Sequence, residues 1–240
     1  MRAIGVLLLV SLLPGGAPCP RQEALPSGSE ALSRMRAVYS SCSTYADECT
    51  FAVSVVTSSA PPPLWSHGTV SIKFVRGQAL RAAVSFGVAE MPLQPAYVLH
   101  SSTGEHRLAR YSSGQAEPHV WESDSLEYVV GATTGSTGLM AAPVQYVASL
   151  LMAGEFSQLG CAQLVHPVVD AIEPVGDSLC LRIHAEGSAG TVFTLWVDRE
   201  SWLLRRLSRA DPVADLRRLT TIEIRGAINA PVAPSELAFP

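Results

Sequence analysis

The stretch that most restricts the fold is HGTVSIKFVRGQALRAAVSFGV, residues 67–88. Val70, Ile72 and Phe74 alternate with Thr69, Ser71 and Lys73. That is the period-two pattern of a strand whose two faces meet different surroundings. Gly77 turns the chain, and a second β-rich run follows. The unit recurs. CTFAVSVVTSS is rich in β-branched residues, and AYVLHS and EHRLARYSS are joined by Ser102-Thr103-Gly104. CAQLVHPVVDAIE and SLCLRIHAEG flank Pro174-Val175-Gly176-Asp177, and a final strand is expected over about 217–225. Short strands separated by turn residues, not by helical crossovers, specify an antiparallel sheet of about nine strands.

Three helices interrupt this pattern. Ser27 stands three places before Glu30, the spacing of a capping box, and Leu32, Met35, Val38 and Tyr39 share one helical face. A helix is expected over about 29–40. Leu126, Val129 and Val130 mark a second over about 124–132; Val147, Leu150 and Leu151 mark a third over about 143–153, with Pro143 suited to its first turn. The Gly-Ser-Thr segment between the last two reads as a flexible link. The class is α+β.

The N-terminus carries one positive charge at Arg2, an apolar run from Ile4 to Leu13, then Pro14 and small residues. This is the layout of an export signal over 1–19. The run is about ten residues, where a spanning helix needs about 20. Residues 20–28 read as a flexible lead-in and 29–240 as one domain, periplasmic or secreted. An exported chain meets oxidising conditions, so cysteines are expected to pair. Cys19 is the odd one of five, at the end of the signal. Membrane anchoring through a lipid on Cys19 is the less favoured fate, because Pro18 stands where such sites carry Gly, Ala or Ser. Cys42–Cys49 and Cys161–Cys180 are the pairings considered, among the three that four cysteines allow.

Chemistry finds little support. A net charge of −4 gives no electrostatic footprint for nucleic acid. There is no Walker loop, no G-x-G-x-x-G and no H-E-x-x-H, so neither a cofactor nor a metal is expected. TGSTG, residues 134–138, approaches the G-x-S-x-G nucleophile elbow, but Thr134 replaces the first glycine. A helix, not a strand, is expected before Ser136. Asp198-Arg199-Glu200-Ser201, between the apolar runs TVFTLWV and WLLRRLSRA, reads as a hairpin turn with its side chains in water, not as a catalytic cluster. No catalytic residue is assigned. Beside that turn, Phe193, Leu195 and Val197 on one face and Val192, Thr194 and Trp196 on the other place large apolar groups on both sides. Either both faces are covered, or one lines an apolar cavity.

The order of export signal, helix ending in YSSCSTYADE, TVSIKFVRGQALR, GSTGLMAAPVQYVASLL, LCLRIHA and GTVFTLWVDRESWLLRRL resembles the LolA/LolB-like superfamily of bacterial envelope lipoprotein and lipid carriers, over about 29–240. It is nearest to an uncharacterised exported branch. Gly77-Gln78 departs from that branch, which has a proline step after the strand carrying Phe74-Val75-Arg76. The resemblance implies a strongly curved antiparallel half-barrel, with helices over its concave face and an apolar trough between. A lipid or acylated protein is then the expected partner, with peripheral membrane contact and without catalysis. Phe74, Phe86, Leu139, Met140, Leu151 and Trp196 are the candidate lining residues, and the link from Gly131 to Gly138 is the candidate lid hinge. Two rivals are an interaction module with a filled interior and no small-molecule ligand, and an envelope hydrolase using Ser136 or a carboxylate pair.

Overall fold

The computed structural model describes residues 24–56, 64–112, 117–137, 142–157, 159–213 and 216–240. The strands are β1 (Thr44–Val56), β2 (Leu64–Val75), β3 (Ala79–Val88), β4 (Gln94–Ser102), β5 (Glu105–Arg110), β6 (His119–Ser123), β7 (Val165–Val175), β8 (Ser178–Glu186), β9 (Val192–Asp198), β10 (Leu204–Val213), β11 (Leu216–Glu223) and β12 (Ala227–Ile228). All twelve belong to one antiparallel sheet, ordered β6-β5-β4-β3-β2-β1-β11-β10-β9-β8-β7, with β12 beside the first residues of β1. β6 and β7 are the two edges and do not pair with each other, so the curved sheet stays open. This is the α+β half-barrel that the resemblance implies. The two strands absent from the sequence reading, β6 and β12, are the shortest, five and two residues long.

Register puts one face inward. Leu108 lies opposite Leu99, Leu99 opposite Ala82, and Ala82 opposite Ile72. On the other side of the sheet Phe51, Ile222, Leu207, Leu195 and Ile183 face one another in turn. All of these are buried. The helices complete the core from the same side. α1 (Gly28–Ser41) opens on Ser27, whose hydroxyl accepts from the Glu30 amide at 3.1 Å, and buries Leu32, Met35 and Tyr39. α3 (Ala142–Leu151) buries Val144, Tyr146, Val147, Leu150 and Leu151. One guanidinium ties the C-terminal ends of these two helices to the sheet. Arg76, just beyond β2, donates to the carbonyls of Cys42 (2.8 Å), Tyr39 (2.9 Å) and Leu151 (3.4 Å). A cation suits this place, because the last carbonyls of a helix lack intrahelical donors and carry the negative end of its dipole.

Three expectations are corrected. First, α2 spans Leu126–Thr137, so helix continues through Gly131 and Gly135, where a flexible link was expected. A glycine inside a helix costs only about 1 kcal/mol relative to alanine, and the burial of Leu126, Val129 and Val130 outweighs it. Residues 138–141, between α2 and α3, lie outside the described residues.

Second, Cys42, Cys49, Cys161 and Cys180 are all buried free thiols. Cys42 precedes β1 and Cys49 lies within it, so at least five residues of extended chain, roughly 17 Å, separate them. A disulfide tolerates a Cα separation of only about 7 Å. Cys161 precedes the start of β7, whereas Cys180 pairs with Glu173 near its far end, and eight residues of strand, roughly 26 Å, intervene. Cys19 lies outside the described residues.

Third, the turn between β9 and β10 does not hold all its side chains in water. Asp198 is 7% exposed. Its carboxylate accepts from the amides of Glu200 (2.9 Å) and Ser201 (3.1 Å), the Ser178 hydroxyl (2.7 Å) and the Arg205 guanidinium (3.3 Å). Turn formation is therefore its role, exercised from inside. Burial alone would raise the pKa, but these donors outweigh it and hold the carboxyl at about 2.

Candidate binding cleft

The space under the helices is divided. Beneath α1 and α3 large side chains of the described residues fill it. Tyr39, Tyr45, Tyr146, Phe193 and Met35 are fully buried there, and Tyr146 meets Phe193 edge-on at 5.9 Å between centroids. Several polar groups in this half pair with one another, while the buried Thr220 Oγ1 has no hydrogen-bond partner among the described residues. Asp47 accepts from the Tyr45 hydroxyl (2.7 Å), the Cys49 thiol (2.9 Å) and the Arg225 amide (2.9 Å). Burial pushes its carboxyl above the usual range, and these bonds pull it back in part. Arg209 is held by Asp211 at 2.7 Å and by the Tyr146 hydroxyl at 3.1 Å.

Beneath α2 the packing opens. The inward-facing residues of β4 and β5 include Tyr97, Leu108 and Arg110, and Trp121 follows opposite Leu108 on β6. With Tyr128, Val129 and Ala132 of α2 they bound a cleft of about 320 Å³. A second cleft of about 460 Å³ adjoins it, lined by Phe86, Val88, Met91, Pro92 and Pro95 from β3 and the chain leading through β4, and by Tyr111. Tyr97 and Arg110 line both, so the two clefts are neighbours, together called the groove. Both volumes are of the size that small-molecule sites occupy. Large apolar side chains lie open here: Trp121 is 40% exposed, Tyr128 70% and Met91 62%. The His119 ring packs edge-on against Trp121 at 4.2 Å between centroids. β6, five residues long and exposed along most of its length, forms the outer wall.

The sequence-predicted lining residues fall in different places. Phe86 is half-buried and lines the second cleft. Phe74 and Leu151 are buried members of the core, and the Arg76 guanidinium lies 5.1 Å from the Phe74 ring centre. Trp196 is on the opposite face of the sheet from Leu195 and Val197. Its indole N–H donates to Glu173 and the Arg206 guanidinium lies 5.4 Å from its ring centre, so it is outside the trough. Leu139 and Met140 lie outside the described residues.

Tyr97, Leu108, Arg110, Trp121 and Tyr128 were missed. A signal for two of them was present. In EHRLAR the period of two puts His106, Leu108 and Arg110 on one face, so Arg110 is a charge on an apolar stripe. In α2, Tyr128 stands off the Leu126, Val129, Val130 stripe, an aromatic aimed away from the core.

The Ser101–His106 pair lines neither of these two clefts. Ser101 and His106 are buried, with Oγ and Nδ1 2.9 Å apart across β4 and β5. Among the described residues no three His, Cys, Asp or Glu side chains are grouped closely enough to hold a metal ion, and no helix is long and apolar enough to cross a membrane.

No family model matches the sequence, and no curated protein matches it. Solved structures with a similar fold include LprF from Mycobacterium bovis, at 12% identity over 93% of this chain and 100% of that one, with a TM-score of 0.46. The Mycobacterium tuberculosis lipoprotein LppX is similar at 8% identity over 85% of this chain and 96% of its own, with a TM-score of 0.43. So is the Pseudomonas aeruginosa MucA/MucB complex, at 12% identity over 89% of this chain and 61% of the matched chain, with a TM-score of 0.43.

Proposed function

We propose that this chain is an exported, non-catalytic protein that binds a lipid or the acyl chain of an acylated protein in the groove between α2 and β3–β6. The observation that carries the reading is the pair of adjoining clefts, walled by Phe86, Met91, Tyr97, Leu108, Trp121 and Tyr128, with Trp121 and Tyr128 left open to solvent. Each methylene moved from water into such a lining gains about 0.8 kcal/mol, so a chain is held without any reactive group. The filled half under α1 and α3 then acts as the rigid frame, and α2 and β6 as the wall that borders the ligand. The layout of residues 1–19 supports export.

The test is to purify the chain without detergent, extract it with organic solvent and analyse the extract by lipid mass spectrometry, alongside titration with a fluorescent fatty acid. Co-purifying acyl lipid and saturable binding are expected. An empty protein that binds no fatty acid overturns the proposal.

A second reading, an interaction module with a filled interior, is favoured by the solid packing of Tyr146 against Phe193 beneath α3. It predicts that the groove takes up no acyl chain.

A further inference from the structure

The groove contains a charge that its structural role does not explain. Arg110 is the last residue of β5, opposite Tyr97 on β4 and His119 on β6, on the inward face between the two clefts. It makes no ion pair or hydrogen bond among the described residues, and its side chain is exposed. This sets it apart from Arg107, the other arginine of β5. Arg107, on the opposite face of the same strand, is held by Glu122 at 3.1 Å and Glu105 at 3.2 Å. Arg76, Arg182, Arg205, Arg206 and Arg209 each bind a carbonyl or a carboxylate.

Among the residues lining the first cleft the other ionised group is Glu122, whose carboxylate is held by Arg107, which it shares with Glu105. Among those lining the second, Arg110 is the ionised group. The groove therefore presents apolar walls on both sides of a positive charge that no carboxylate of the described residues contacts. An uncharged chain would leave that guanidinium beside bound hydrocarbon with part of its water removed, which is unfavourable. A ligand with an anionic end would instead give it a charge-assisted, two-pronged partner, since the planar guanidinium matches a carboxylate or a phosphate.

We infer that the ligand is an anionic amphiphile whose carboxylate or phosphate group rests on Arg110 while its hydrocarbon lies in the adjoining clefts. This rests on the acyl-binding reading above and names the chemistry of the ligand's polar end. Trp121, with His119 packed on its ring, and Tyr128 border the hydrocarbon in the first cleft; Phe86 and Met91 border it in the second.

The test uses three probes of equal chain length, decanoate, decyl phosphate and decanol, titrated into the full chain by calorimetry below their aggregation limits. Acetate and inorganic phosphate are titrated as controls that lack the chain. The two anionic amphiphiles are expected to bind about tenfold more tightly than decanol, the worth of one charge-assisted pair at a solvated site. Arg110→Gln is expected to abolish that preference and Arg110→Lys to keep part of it. Equal binding of decanol and decanoate overturns the inference while leaving the acyl-binding reading standing. Binding of acetate or inorganic phosphate as tightly as the amphiphiles overturns it in favour of a free-anion site. If none of the decyl probes binds, the acyl-binding reading fails and the inference falls with it.

Discussion

Replacing Asp198 by asparagine tests how the β9–β10 turn is held. The carboxylate is nearly enclosed, and its four donors keep its pKa at about 2, against an ordinary 3.8. The folded-state value lies below the unfolded one. The carboxylate therefore adds stability that is fully present above the unfolded pKa and is lost as pH falls through about 2. A depression of that size corresponds to about 2 kcal/mol at neutral pH. Asparagine keeps an oxygen that can accept from the Glu200 and Ser201 amides, but it gives up the charge that Arg205 and the Ser178 hydroxyl answer. Urea unfolding of the native and Asp198→Asn chains at neutral pH should then differ by about 2 kcal/mol. Repeated at pH 3 and pH 2, the gap should narrow and be mostly gone at the lower value. A gap that is absent at neutral pH, or that does not change with pH, would refute this account of the turn.

Other outcomes follow from the same geometry. Arg76→Met removes two short bonds and one long one to the carbonyls ending α1 and α3, and should lower stability by about 2–3 kcal/mol, or about 4–10 °C in thermal midpoint; an unchanged melt would remove Arg76 from that role. With Cys19 replaced by serine, a thiol reagent should find no reactive cysteine in the native chain and four after unfolding without reductant. Burial pushes Cys161 up to about 12 and Cys180 up to about 11, and the thiolate is the reacting form; fewer than four thiols after unfolding would restore a disulfide. Trp121→Ala should weaken fatty-acid binding about tenfold or more, whereas Trp196→Ala, on the outer face, should leave it unchanged; the reverse ranking in a fluorescence titration would return the trough to the Trp196 face.

Much of the architecture was readable because short-range rules and tertiary packing agree. The Ser27–Glu30 spacing marks where α1 starts, and Val70, Ile72 and Phe74 are buried as the two-residue period requires. The turn at 198–201 was legible from residue type, but the inward placement of Asp198 was not, since its partners Ser178 and Arg205 come from other strands. Trp196 failed for a similar reason: alternation identifies two faces without saying which is covered, and the polar partner Glu173 comes from β7, two strands away. The cysteine pairings failed because chain separation says nothing about strand direction, and extended backbone carries neighbours in sequence far apart in space. The groove was hardest to read. Phe74 and Phe86 look alike in the sequence, yet one fills the core and the other faces a cleft bordered by Met91 and Pro92 of the β3–β4 connection, a neighbourhood that neither residue announces.

The most direct test of acyl binding in this groove is photo-crosslinking of a diazirine-bearing fatty acid to the full chain, with the modified peptides mapped by mass spectrometry. Saturable labelling of peptides from 86–133, centred on Tyr97, Trp121 and Tyr128, is expected. Labelling confined to β7–β10, or none that unlabelled fatty acid displaces, would contradict acyl binding in this groove.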